Sequence, residues 1–274
     1  MQFKGVDSEG QEFASPEELW GHLDQQPAGR REAWYDQAVK YWDRQDASVD
    51  GVLGGYGHVS DVDILESQKF LKKVFGSRLQ DAARDQQPLV VIDCGAGVGR
   101  VTEHLLLHHF AEVDLLEPSG HLLEAARSRL SSPAPAGVAH PWPKSHRAVN
   151  FWQLGLEQLE PQPARYDVVW IQWCLLYLTD ADAISFFQRC QAGLKPGGLI
   201  IVKENICQDG FVVDKDDSSL SRSNAYMLQL FEAAGMQVLY NVQQRNFPKE
   251  LYKVRMYALQ PRPSSTLPLD HVSI

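Results

Sequence analysis

Paired cysteines, an excess of basic charge and long apolar runs are all missing from this 274-residue chain. Only Cys94, Cys174, Cys190 and Cys207 occur, widely spaced and with no CxxC. That set fits a reducing compartment, cytoplasmic or nuclear, better than a disulfide or zinc framework. Lys and Arg number 26 against 35 Asp and Glu, a net charge of -9. A reader of nucleic-acid phosphates carries a basic face, so direct nucleic-acid binding is not expected and a basic partner stays open. No stretch approaches the roughly 18 consecutive apolar residues of a membrane helix, and no membrane partner is expected. The opening MQFKGVDSEGQEF lacks a basic segment followed by an apolar one, which argues against a secretory leader. His104 and His108 have a metal-compatible spacing on a helix, but no third ligand accompanies them, so they read as surface residues.

The chain has enough apolar residues, 44%, to bury one large core. Residues 1–30 read as a polar extension with a short helix after the cap-like Ser15-Pro16-Glu17. Residues 131–147 hold four prolines and exclude a regular element, and residues 261–274 read as a flexible tail. A single domain over 31–260 remains, expected to act as a monomer. Within it Leu89–Asp93, Glu112–Glu117, Val149–Leu154, Tyr166–Gln172 and Leu199–Glu204 have strand character. Between them Val98–His109, His121–Leu130 (capped by Ser119) and Thr179–Leu194 have helical spacing. Such alternation predicts an α/β fold with a parallel sheet covered on both faces. Trp34–Trp42 and Ser60–Phe75 predict two covering helices, Ser219–Ala234 a further helix, and Met236–Arg245 with Leu251–Leu259 a closing antiparallel hairpin.

The segment Val91-Ile92-Asp93-Cys94-Gly95-Ala96-Gly97-Val98-Gly99-Arg100 reads as a strand feeding a glycine-rich turn into a helix. Arg100 takes the third glycine position of a dinucleotide fingerprint, and Asp93 stands just before the turn. A carboxylate there would repel a pyrophosphate. It suits S-adenosylmethionine, whose carboxylate Arg100 can pair. Glu117, at the end of the second strand, is placed for the ribose hydroxyls, beside Pro118 and Ser119. Gly155-Leu156-Glu157, after the third strand, is where such folds contact adenine.

The strings Asp50-Gly51-Val52-Leu53-Gly54-Gly55-Tyr56-Gly57-His58 and Trp170-Ile171-Gln172-Trp173, with Leu178-Thr179-Asp180, narrow the reading. From about Trp34 to about Leu259 the chain resembles the eukaryotic protein α-N-terminal methyltransferases, which act on proteins beginning Xaa-Pro-Lys. The resemblance implies a class I methyltransferase (Rossmann-like) fold: a seven-stranded, mostly parallel sheet with an N-terminal helical cover and a β-hairpin insertion after the fifth strand. It implies S-adenosylmethionine contacts from Gly95, Gly97, Arg100, Glu117 (an aspartate in familiar relatives), Pro118, Ser119, Leu156, Glu157 and Gln172. Trp173 would pack on the second-position proline, and Asn205 would hold the peptide backbone. Asp214, Asp217 and Ser219 would line an acidic channel for the lysine and the reacting amine. Tyr41, Trp42, Leu53, Gly54 and Tyr252 would close the site.

One position departs from the family: Tyr177 stands where animal relatives have histidine. A tyrosine titrates near pH 10 and a histidine near 6.5, so Tyr177 would orient the amine while Asp217 accepts its proton. Other readings of the same residues stay open. Asp214–Ser219 could be a turn and helix cap. One of Trp170 and Trp173 should belong to the core. A small-molecule methyltransferase would show a closed apolar pocket, and a non-catalytic scaffold would have lost cofactor residues.

Overall fold

The computed structural model describes residues 3–24, 30–131 and 141–263. The tail from 264 and most of the proline-rich stretch therefore lie outside the described residues. The polar N-terminal extension is structured where described. It holds β1 (Gly5–Asp7), β2 (Glu12–Phe13) and the expected helix α1 (Pro16–Asp24). Ser15 Oγ accepts the Glu18 N–H at 3.3 Å, while the Glu18 carboxylate accepts the Ala14 N–H at 2.7 Å, a reciprocal cap that starts α1. The covering helices follow as α2 (Arg30–Trp42) and α3 (Ser60–Asp85), the latter ten residues longer at its C-terminus than predicted.

From residue 90 strand and helix alternate: β3 (Val90–Cys94), α4 (Arg100–His104), β4 (Glu112–Leu116), α5 (Gly120–Ser131), β5 (Arg147–Trp152), β6 (Tyr166–Gln172), α6 (Asp180–Gly193) and β7 (Leu194–Ile206). Two helices start on side-chain caps: Ser119, as expected, and Thr179, which is predicted instead as the first helical residue. Ser119 Oγ accepts the Leu122 N–H at 3.3 Å, and Thr179 Oγ1 accepts the Asp182 N–H at 3.2 Å. The predicted helix Val98–His109 instead breaks after His104 into a 3-10 turn at Leu106–His108. Leu105, Leu106 and Leu107 are all buried, and three consecutive residues cannot share one α-helical face, so a regular surface helix does not continue through them.

A second correction concerns Ser219. It does not open a helix; it begins β9 (Ser219–Arg222), which pairs antiparallel with β8 (Phe211–Asp214), and α7 (Asn224–Ala233) starts after the cap Ser223. Ser218 closes the intervening turn in the left-handed region (φ 55°), a conformation that a helix start would not use. This pair is the implied hairpin insertion. β10 (Met236–Gln243) and β11 (Lys253–Pro261) form the closing hairpin.

The large sheet has the order β10-β11-β7-β6-β3-β4-β5, with β3 to β7 parallel and β11 antiparallel to both neighbours. Every residue of β3 and β6 is buried, as continuous apolar strands covered on both faces require. Val91 and Trp170 face one core, Ile92 and Ile171 the other. Strand order reverses between β3 and β6, which opens a crevice at their carboxyl ends. A separate four-stranded sheet, β2-β1-β8-β9, stands beside that opening.

Candidate active site

The glycine turn after β3 is built from three left-handed residues, Gly95, Gly97 and Gly99 (φ 67°, 52° and 77°). A Cβ on Gly95 would lie 2.5 Å from Cβ of Cys174, so the glycine backbone packs directly on the Cys174 side chain there. The turn is tied to the end of β4. The Gly97 N–H donates to one oxygen of Glu117 and the Ser119 N–H to the other, both at 2.9 Å. Burial pushes the Glu117 carboxyl up to about 7 against those two bonds, and pushes Asp93 up to about 6 although Thr102 Oγ1 donates to it at 2.6 Å.

These groups face a cavity of about 990 Å³, predominantly apolar in its walls. Gly95, Gly97, Arg100, Glu117, Pro118, Leu156, Glu157 and Gln172 are all part of its wall. Ser119 is the exception among the predicted cofactor residues: it does not line the cavity. Its hydroxyl donates to Asp43 at 2.6 Å and its N–H orients Glu117, so it acts through its neighbours. The Leu156-Glu157 turn is held from below by Arg189, which donates to the carbonyls of Leu156, Glu157 and Leu159 at 3.1, 3.0 and 2.7 Å.

Arg100 and Gln172 share a partner that sequence reading missed. Asp63 of α3, fully buried, meets Arg100 Nη1 at 2.8 Å and accepts from Gln172 Nε2 at 2.9 and 3.1 Å. It also pairs with the equally buried Lys203 of β7. Burial alone would raise the Asp63 carboxyl, but Lys203 and then Arg100 outweigh it and hold it below the ordinary aspartate range. The one available signal was a lysine in the otherwise apolar run Leu199–Val202 to Lys203, where only a paired charge is tolerated.

A second cavity, about 1430 Å³, opens beyond the first. Tyr41, Gly54, Asn205 and Tyr252 line it together with Asp214, Asp217 and Ser219. Trp42, Val52, Leu53, Trp173 and Tyr177 line both cavities and so mark where they meet. Here Trp42 Nε1 donates to the Tyr177 hydroxyl at 2.8 Å, and that hydroxyl donates to Asp217 at 3.2 Å. Burial, then the charge of Asp217, pushes the tyrosine well above its ordinary range, so it holds its proton as a donor. Burial also raises Asp217, assisted by Asp214 and opposed by its bonds to Ser219 and Tyr177.

Two buried polar atoms lining the second cavity have no partner among the described residues: Oδ1 of Asp217 and Nε1 of Trp173. Buried polar groups are normally satisfied, so both positions call for a ligand. Trp170 is the core tryptophan and Trp173 the site tryptophan, held in the left-handed region (φ 54°) with Phe247 6.3 Å from its ring. Phe247 and Ser8, both on the second cavity, carried no sequence signal.

Residues 30–260 match the family described as AdoMet dependent proline di-methyltransferase. An α-N-terminal protein methyltransferase 1 of Arabidopsis thaliana is 46% identical over 260 residues, 94% of this chain and 91% of that protein. An N-terminal Xaa-Pro-Lys N-methyltransferase 1-B of Xenopus laevis is 39% identical over 83% of this chain and 95% of its own length. The chain belongs to this family of α-N-terminal protein methyltransferases. A solved S-adenosylmethionine-dependent methyltransferase from Leishmania major superposes with a TM-score of 0.82 at 37% identity, over 95% of this chain and 97% of its own.

The enzyme is thus S-adenosylmethionine-dependent, and its first cavity fits that cofactor. Each Glu117 oxygen accepts one backbone N–H and keeps a lone pair for a hydroxyl. Among the described residues, Arg100 meets Asp63 and Ser60 through Nη1, which leaves Nε and Nη2 for a carboxylate.

Proposed function

We propose that this enzyme methylates the α-amine of proteins beginning Xaa-Pro-Lys, with Asp217 as the proton acceptor. The unpartnered Oδ1 of Asp217, on the second cavity beside the junction residue Tyr177, carries this reading. Gly95, Gly97, Arg100, Glu117, Pro118, Leu156, Glu157 and Gln172 would hold the cofactor, with Ser119 orienting Glu117. The bound cofactor supplies an electrophilic methyl group. An α-amine titrates near 7.7–8.0, so a large share is protonated at neutral pH and a proton must leave before attack. Tyr177, itself held by Trp42, donates to Asp217 Oδ2, which leaves Oδ1 for that proton. Because burial has raised the carboxyl, it is a better acceptor than an exposed aspartate.

Trp173 offers a flat surface to the second-position proline, and its free Nε1–H a donor to a peptide carbonyl. Asn205, on β7, faces the same channel, and Asp214, exposed near its mouth, suits the third-position lysine. Tyr41, Trp42, Leu53, Gly54, Ser219 and Tyr252 would enclose the peptide. A small-molecule methyltransferase would favour a closed apolar pocket, whereas this second cavity carries two aspartates. The four free cysteines are buried, which agrees with work in the cytoplasm or nucleus, and we extend the reading to a monomer acting on basic protein tails.

Mass spectrometry of a peptide beginning Ser-Pro-Lys, incubated with enzyme and cofactor, tests the reading. A gain of methyl mass on the N-terminal amine is expected. A gain on small-molecule amines with none on the peptide would overturn it.

A further inference from the structure

The matched family segment begins at residue 30, yet the strand that borders the peptide side of the site lies before it. β1 runs parallel to β8 with Gly5 opposite Phe211, Val6 opposite Val212 and Asp7 opposite Val213. The Phe211 N–H donates to the Lys4 carbonyl at 3.1 Å, and the Ser8 N–H to the Val213 carbonyl at 2.8 Å. Past the end of β8, the Lys215 N–H donates to the Ser8 hydroxyl at 3.2 Å, and the Lys215 ammonium meets Glu9 at 2.6 Å. One edge of β8 is therefore covered along its full length, and β8 leads within three residues from Asp214 to Asp217.

Two glycines pack directly against this contact. A Cβ on Gly5 would lie 2.1 Å from the Phe211 ring, and a Cβ on Gly210 would lie 1.7 Å from the Lys4 carbonyl oxygen. Neither distance leaves room for a side chain. Beneath the hairpin, Phe13 and Leu19 of the N-terminal segment pack with Phe211, Val213, Leu220 and Tyr226 in a cluster separate from both faces of the large sheet. Stripped of that segment, β8 would present an open edge and an uncovered apolar face. Ser8 itself lines the peptide-side cavity.

We propose that residues 4–8 are a positioning element of the peptide channel, which sets the height of β8 and hence where Asp214 and Asp217 meet the substrate. The proposal rests on the reading of the second cavity as that channel. Its chemistry is main-chain pairing plus close packing, so it needs no charge on the substrate.

Gly5→Val in the full-length chain is the direct test. The expected outcome is a fall of at least about tenfold in kcat/KM for the Ser-Pro-Lys peptide, while the Kd for S-adenosylhomocysteine stays within about twofold. Hydrogen exchange should accelerate at the amides of Phe211–Arg222 and stay unchanged in β3 and β6. Ser8→Ala, which removes the acceptor of Lys215 together with a hydroxyl of the cavity wall, should show the same pattern at about threefold and serves if Gly5→Val does not fold. Glu17→Gln, at an exposed position of α1 outside that strand, should leave all three readouts unchanged. An equal loss of cofactor affinity, or faster hairpin exchange with intact peptide kinetics, would overturn the proposal. If the wild-type enzyme leaves the peptide unmethylated, the channel reading falls instead, and hairpin exchange, measured without peptide, still decides whether β1 holds β8.

Discussion

The cofactor half of the site and its peptide half are made of different material. The first is formed by the ends of parallel strands, and its polar groups are already bonded to one another: Glu117 to two backbone amides, Asp93 to Thr102, Asp63 to Arg100, Gln172 and Lys203. The second is formed by a hairpin insertion, α2 and 3-10 turns, and it leaves Asp217 Oδ1 and Trp173 Nε1 without partners. A half that is satisfied before its ligand arrives is rigid and tolerates little change. A half with unmade bonds gains them from the substrate, so its defects should show in turnover before they show in stability.

The largest expected effect lies on the peptide side. Asp217→Asn keeps the shape but cannot accept the amine proton, and kcat should fall by about 10²–10⁴-fold. Isothermal titration with S-adenosylhomocysteine should show cofactor affinity nearly unchanged. Normal turnover in this variant would remove Asp217 from the proton-acceptor role.

The matching disruption on the cofactor side should act in the opposite way. Asp63→Asn leaves Arg100 and Lys203 as two buried cations with no carboxylate between them, at a cost of about 3–5 kcal/mol in stability. Cofactor affinity should weaken with it, since Arg100 and Gln172 lose their common anchor. Lys203→Met added to Asp63→Asn removes one buried charge and should return part of the stability. Affinity that returned in full as well would show Asp63 to be structural only.

A pH dependence separates the halves further. Folding raises the carboxyls of Asp93 to about 6 and Glu117 to about 7, from ordinary values of 3.8 and 4.5. Each holds its proton more tightly when folded, so its contribution is present below the unfolded pKa and is lost as pH rises through the folded one. Stability of the cofactor-free enzyme should therefore decline between about pH 4 and 7, with Glu117 alone accounting for about 3 kcal/mol. Glu117→Gln should flatten that slope in urea unfolding curves, whereas Asp217→Asn should change it much less.

Legibility in the sequence followed the same division. The parallel strands, apart from the start of β7 five residues before the predicted Leu199, could be placed within a residue or two because a strand buried on both faces is a continuous apolar run, and Gly95–Arg100 with Glu117 located the cofactor cavity from backbone chemistry. The hairpin was read as a helix from Ser219 because serine after acidic residues resembles a cap, and only the left-handed Ser218 distinguishes a turn. Asp63 could not be paired with Lys203 across 140 positions, since local periodicity carries no information on such contacts. The N-terminal strand looked like loop because β1 is three residues long and gains its order from β8. Trp173, Asn205, Asp214 and Asp217 were reached through resemblance to a family, since spacing alone left them as turn and core residues.

The smallest and most discriminating effect is at Tyr177, where this enzyme departs from the histidine of animal relatives. Its hydroxyl does two jobs at once, accepting from Trp42 Nε1 and donating to Asp217. A neutral imidazole also has one accepting and one donating nitrogen, so Tyr177→His preserves both bonds in kind. Its kcat should stay within about tenfold of wild type, because Asp217 remains the acceptor. Tyr177→Phe fills the same space and makes neither bond, leaving Trp42 Nε1 and Asp217 Oδ2 buried and unpaired at about 1–3 kcal/mol each. Steady-state kinetics on the Ser-Pro-Lys peptide should therefore rank wild type, His and Phe in that order, with stability falling clearly only in the Phe variant. A His variant as impaired as Phe would mean that the tyrosine contributes more than orientation.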